Sequence, residues 1–109
     1  MTTEIKALCH GAYSLSFHLV LVTKYRRRCL SSKMLEELQE LFSEQLVLKN
    51  GLLKEFNGEA DHAHLLIELP PNQALSNVVN SLKSTTSRAL RKRNSAALLK
   101  HYKKPVLWS

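Results

Sequence analysis

The sequence predicts an α+β fold, and two observations carry that prediction. Apolar residues alternate with a period of two in "YSLSFHLVLV" and "HAHLLIEL". They recur at helical spacing in "SSKMLEELQELFSEQLVLKNG" and "NQALSNVVNSLKSTTSRALRKR". Read in order, the elements are β-α-β-β-α and a short tail. That is five-sixths of a βαββαβ ferredoxin-like plait with an antiparallel sheet, the last strand not being visible. Residues 1–109 are read as a single domain with one modest core.

The first strand sets Ser14, Ser16, His18 and Val20 against Leu15, Phe17, Leu19 and Leu21, then runs into the cluster Lys24, Arg26, Arg27, Arg28. The first helix opens on Ser31 or Ser32, either of which accepts a hydrogen bond from an orphan N–H. Its apolar stripe is Met34, Leu35, Leu38, Leu41, Phe42 and Leu46, and Asn50-Gly51 stops it. The outer face carries Glu36, Glu37, Glu40 and Glu44, so it is expected to face away from a polyanion. "LLKEFNGEA" reads as a strand with a hairpin turn at Asn57-Gly58. "HAHLLIEL" returns and ends at Pro70-Pro71. Asn72 is the expected cap of the second helix, which buries Leu75, Val78, Val79, Leu82, Thr86 and Ala89. After residue 94 the chain reads as irregular or weakly helical.

Charge narrows the function. Residues 1–68 hold 8 Lys and Arg against 9 Asp and Glu, whereas residues 69–109 hold 8 Lys and Arg and no acid. A segment at net +8 favours a polyanionic partner, most simply nucleic acid. No apolar run approaches the roughly 18 residues that span a bilayer, and "MTTEIKALCHGAY" lacks a signal-peptide pattern. A cytoplasmic protein is expected, with Cys9 and Cys29 as reduced thiols.

"ADHAHLLIELPP" carries the chemistry. On a strand, His62, His64, Leu66 and Glu68 share one face, and Ala63, Leu65, Ile67 and Leu69 the other. Imidazoles two residues apart start about 6.5–7 Å from each other and can lean onto one divalent ion. Asp61 is placed to orient one of them. A bland alternative is two surface histidines with no ligand.

"DHAHLLIELPP", with "TKYRRR" upstream, "LKSTTSRALRKR" on the second helix and "KKPVLWS" at the end, resembles the single-tyrosine HUH transposases of small bacterial and archaeal insertion sequences. The likeness runs from about Tyr13 to Ser109. It implies a ferredoxin-like HUH plait acting as a dimer on single-stranded DNA hairpins at the element's ends. A tyrosine attacks the scissile phosphate, and two histidines with a polar side chain of the tyrosine helix hold Mg²⁺ or Mn²⁺. His62 and His64 match the histidine pair, and Lys24 to Arg28 match the basic turn. Lys24, Arg26, Arg27, Arg28, Lys83, Ser87, Arg88 and Arg91 are the expected DNA contacts.

In that family "LWS" precedes the last strand and the tyrosine helix, so the resemblance implies that both, with the third metal ligand, are missing from 1–109. Of Tyr13, Tyr25 and Tyr102, the first two read as packing residues and the third as upstream of the nucleophile's place. An ion held by two histidines alone is expected to be weak if hard. The sheet edge beside the "YSLSFHLVLV" strand is expected to be open. Such a chain is expected to form a homodimer, or a heterodimer with a full-length copy that it modulates. The competing functions are a metal-free hairpin-binding module, an RNA-binding plait lacking the usual aromatic pattern, and an unrelated metalloenzyme. The last would need ligands beyond His10, His18 and His101, whose spacing does not support it.

Overall fold

The structure is a computed structural model. It describes residues 3–10 and 14–109, the side chains from residue 14 onward. Its elements are β1 (Thr3–His10), β2 (Ser14–Val22), a short 3-10 turn (Lys24–Arg26), α1 (Ser32–Leu48), β3 (Leu52–Glu59), β4 (His62–Leu69), α2 (Leu75–Arg93) and α3 (Ser95–Leu99). The sheet has the order β1-β2-β4-β3, with every neighbouring pair antiparallel. The expected β-α-β-β-α order is therefore present, preceded by one more strand. Tyr13 lies outside the described residues.

β1 is the main departure. It runs along β2 from Thr3 opposite Leu21 to His10 opposite Ser14. The edge beside β2, expected to be open, is occupied by the chain's own N-terminal strand. The sequence hid this because the alternation Glu4, Ile5, Lys6, Ala7 breaks down at Leu8-Cys9.

One face of the sheet packs on the helices. Phe17, Leu19 and Leu21 of β2 and Ala63, Leu65, Ile67 and Leu69 of β4 are buried there. α1 meets them with Met34, Leu38, Leu41, Phe42 and Leu46, and α2 with Val78, Val79, Leu82, Thr86 and Leu90. Leu35, Leu75 and Ala89 pack against this core only partly buried. α1 starts as expected: Ser31 caps it, its hydroxyl accepting from the Met34 N–H at 3.2 Å. α2 does not. Its cap position is Ala74, without a side-chain cap, and Asn72 sits in the turn before it.

The hairpin turn also differs. Asn57 and Gly58 lie within β3, opposite His64 and Ala63, and the chain reverses at Ala60-Asp61. Gly58 is there because α1 presses on the hairpin: a Cβ would meet the Leu35 side chain at 2.6 Å and the His62 carbonyl at 3.2 Å. Absence of a side chain, not a turn, is what this position requires.

The tail is ordered by burial. Leu98, Tyr102, Leu107 and Trp108 join the core. Trp108 donates its indole N–H to the Thr86 hydroxyl at 3.0 Å, and that hydroxyl donates to the Leu82 carbonyl at 2.7 Å. Trp108 bridges Thr23 in antiparallel fashion, with Ser109 N–H donating to the Val22 carbonyl at 2.8 Å. This bridge lies on the same edge of β2 as β1, directly beyond its end.

Candidate functional site

The face of β4 turned away from the helices carries the histidines. Alternation leaves His62 half-buried and His64 exposed while Ala63 and Leu65 between and beyond them are sealed in the core. The two rings have centres 5.0 Å apart and planes at 77°. With metal–nitrogen bonds of about 2.1 Å, rings that close can reach one ion. His62 Nδ1 lies 2.7 Å from Asp61 Oδ1, which orients the ring and leaves Nε2 for a ligand. This hydrogen bond from His62 is the main reason the Asp61 carboxyl is held below the usual carboxylate range. The charges of His62 and Arg26 add to it, and desolvation opposes it.

The hairpin contributes oxygen. β3 places Glu59 directly opposite His62, and Glu59, Asp61 and His62 each offer a ligand atom within 4.8 Å of the others. One imidazole and two carboxylates make a mixed donor set, with the His64 ring beside it, that suits Mg²⁺ or Mn²⁺ better than two histidines alone. The residues present therefore fit the ion that the resemblance implies.

The basic turn abuts this site. Thr23 N–H donates to the Asp61 carbonyl at 3.0 Å, and the Thr23 hydroxyl donates to the Arg27 carbonyl at 2.7 Å. Arg26 lies 3.7 Å from the Asp61 carboxylate. Tyr25 and Arg26 have φ of 59° and 53°, a left-handed turn that costs about 1–2 kcal/mol per residue. The turn sends consecutive side chains in different directions. Tyr25, expected to pack, is 73% exposed, with the Lys24 ammonium 5.6 Å and the Arg27 guanidinium 5.8 Å from its ring centre. An exposed aromatic ring with cations beside it is the kind of group on which an unpaired base can stack.

The basic residues of α2 lie behind the sheet from the histidines. Lys83, Ser87, Arg88 and Arg91 line a trough of about 360 Å³ closed on its other side by Pro105–Ser109. Lys83 donates to the Ser109 main-chain oxygen at 2.7 Å. Burial, and secondarily the charge of Lys24, depresses its ammonium's affinity for a proton. Lys24, through its N–H to the Leu107 carbonyl, and Lys83, through Ser109, are both tied to the tail beside the end of β2. Arg91 donates from Nε to the Ser87 hydroxyl at 3.2 Å, and Arg88 is exposed. Arg28 is exposed beyond the turn.

Tyr102 is structural. It is buried and donates its hydroxyl to the Lys24 carbonyl at 2.7 Å, pinning the basic turn to the tail. Burial, with the contact to Cys29 at 3.8 Å, raises its proton affinity far above that of a free phenol, and burial likewise raises Cys29, a free thiol. Tyr102→Phe is expected to lower stability by about 1–2 kcal/mol near neutrality, because the Lys24 carbonyl loses its donor. The folded hydroxyl keeps its proton above about pH 10, where an exposed phenol ionises. Its contribution is whole below that pH and is lost as pH rises further. Urea unfolding across pH 7–11 should show the gap between wild type and variant closing above pH 10.

A plait with two imidazoles on its open face beside a cationic turn defines the class of this protein. The chain belongs to the family described as Transposase IS200 like, whose model matches residues 11–109. It is 29% identical over 85 residues to the Salmonella typhimurium transposase for insertion sequence element IS200, covering 78% of this chain and 56% of that protein. It is 30% identical over 79 residues to the ISDra2 transposase TnpA of Deinococcus radiodurans, covering 72% and 56%. The chain therefore spans little more than half the length of these curated relatives. The crystal structure of a Deinococcus radiodurans transposase candidate superposes with a TM-score of 0.81 at 23% identity, covering 95% of this chain and 79% of that one, which shows the shared fold. Among the described residues no helix is long and apolar enough to cross a membrane.

Two site residues were missed from sequence. Glu59 stands three positions before His62, and a turn at Asn57-Gly58 gives it no place beside the histidines. Tyr25 sat in "KYRRR", where an aromatic amid cations was itself the signal.

Proposed function

We propose that this chain binds single-stranded DNA hairpins at insertion-sequence ends and sets a divalent ion against the backbone for cleavage and strand transfer. The observation that carries this reading is the His62–His64 ring pair, 5.0 Å apart on an open sheet face and braced by Asp61. His62 and His64, with Glu59, would hold Mg²⁺ or Mn²⁺ and Asp61 would orient His62; the ion would polarise a phosphoryl oxygen. The chain's own part is to position DNA. Lys24, Arg26, Arg27 and Arg28 attract phosphates beside the histidines, Tyr25 stacks a base, and Ser87, Arg88 and Arg91 bind more distant phosphates, with Lys83 fixing that trough to the tail.

None of the described tyrosines is assigned as nucleophile. Tyr102 is buried in a structural hydrogen bond, and Tyr25 is placed as a stacking ring. Tyr13 lies outside the described residues and is given no role here. We place the chain in a homodimer or in a heterodimer with a full-length transposase. Native mass spectrometry of the mixture should show the heterodimer; its absence removes that part of the proposal.

The test of binding is fluorescence anisotropy with a hairpin bearing a single-stranded flank, with and without Mn²⁺. Binding should exceed that of the RNA equivalent, and Mn²⁺ should raise the affinity. Arg88→Ala is expected to reduce the salt slope by about one, as each lost phosphate contact does. A second reading, a metal-free hairpin-binding module, is favoured by the Tyr25 platform, which needs no ion. Affinity unchanged by chelator would select it.

A further inference from the structure

A groove of about 1100 Å³ runs between α1 and β3, well away from the histidine face. Glu36, Glu40 and Glu44 follow one another at four-residue spacing along its α1 wall, and Leu48 continues the line. Val47 and Leu48 are 57% and 76% exposed there. β3 supplies the opposite wall through Leu53 and Phe56, while Glu55, paired across the sheet with Leu66, adds a fourth carboxylate at the rim from the other face. Lys54 is turned to Glu68 at 3.5 Å, and among the described residues no cation pairs with the four glutamates.

β3 is also an edge strand, paired only with β4. Its outer side presents unpaired backbone N–H and C=O groups. An acidic wall, an apolar floor and an open backbone edge lie side by side. Uncompensated like charges at helical spacing repel each other, so a cationic occupant relieves them. A nucleic acid would meet the same repulsion, and a helix would leave the edge of β3 unpaired.

We propose that this groove receives an extended segment of a partner protein in which basic and apolar residues alternate, added as a further strand on β3. Its Lys or Arg side chains face α1 and reach Glu36, Glu40 and Glu44, their alkyl stems covering Val47, Leu48 and Phe56, and its apolar side chains fall on the opposite face of the added strand. The groove is formed by the helix layer and the sheet edge, whereas the histidines face the other way. The segment can therefore dock while the histidine face is engaged, and the inference does not depend on the DNA reading.

The test uses a blocked eight-residue peptide alternating Lys and Val, and its Glu–Val counterpart. Both are offered to the 109-residue protein and to the variant carrying Glu40→Lys and Glu44→Lys, with circular dichroism showing that the variant is folded. The Lys–Val peptide should bind the wild type, slow amide hydrogen exchange within Leu52–Glu59, and bind the variant at least tenfold more weakly. The Glu–Val peptide should not bind. The proposal is overturned if the Lys–Val peptide fails to bind, binds both proteins alike, or leaves exchange in β3 unchanged, or if the Glu–Val peptide binds equally well. Glu40→Gln with Glu44→Gln is the milder companion, expected to weaken binding in the same direction.

Discussion

His64→Ala is expected to weaken Mn²⁺ binding by on the order of 100-fold or more while moving the melting temperature little. The magnitude has a floor. Mutating groups that merely orient a ligand already costs about 10–100-fold in metal affinity, and His64 is proposed as a direct ligand. The small effect on folding follows from position. His64 is exposed on the open face, and its neighbours Ala63 and Leu65, not its own ring, anchor β4 in the core. Surface substitutions of that kind usually stay within about 0.5 kcal/mol. Titration of Mn²⁺ by electron paramagnetic resonance, beside a thermal melt, separates the two. Unchanged Mn²⁺ affinity would show that the ring pair holds no ion.

Asp61→Asn provides the graded companion to that experiment. It keeps the shape but removes the carboxylate charge that faces His62 Nδ1 at 2.7 Å and Arg26 at 3.7 Å. Mn²⁺ affinity should fall by about 10–100-fold, less than on loss of His64. The ordering of the two variants tests whether Asp61 orients a ligand or is the stronger ligand itself.

The part of the site that depends on a strand's period of two is legible in the sequence. His62 and His64 had to share a face because Ala63, Leu65 and Ile67 were apolar enough to claim the other. What required three dimensions is cross-strand register. Asn57-Gly58 looks like a turn from its local chemistry, and a turn there moves Glu59 into the returning strand. Contact with Leu35 overrides that preference, carries β3 on to Glu59, and sets this carboxylate opposite His62. A shift of three residues in the turn, from Asn57-Gly58 to Ala60-Asp61, thus separates a histidine pair from a mixed oxygen–nitrogen donor set. Tyr25 was hidden for a similar reason, since nothing local announces a positive φ at a tyrosine. β1 was hidden because its alternation is short and broken. The helix stripes needed no such context. Their centres hold, and the differences are at the margins, where Leu35, Leu75 and Ala89 are only partly buried and Leu90 is buried, because apolar spacing on a helix is set within a few residues of itself.

Trp108→Ala is expected to cost about 3–5 kcal/mol, the usual range for removing a large aromatic side chain from a core. Two consequences add up here. The ring packs 6.4 Å centre to centre from Phe42, and its loss leaves a cavity between the helices and the sheet. The Thr86 hydroxyl also loses the indole N–H that it accepts at 3.0 Å, although it keeps its own bond to Leu82. Small domains have roughly 5–15 kcal/mol of stability in all, and 1 kcal/mol shifts the melting temperature by about 4–8 °C at this size. A drop of at least about 10 °C is therefore expected in calorimetry. The effect reaches function through the tail. Trp108 bridges Thr23, Leu107 accepts from the Lys24 N–H at 2.7 Å, and Ser109 accepts from Lys83. A loosened tail frees the basic turn from α2, so DNA affinity should fall at temperatures where the variant is still folded. Conversely, a variant that melts 10 °C lower yet binds the hairpin with wild-type affinity at 10 °C would show that the tail stabilises the fold without placing Lys24 and Lys83 for the nucleic acid.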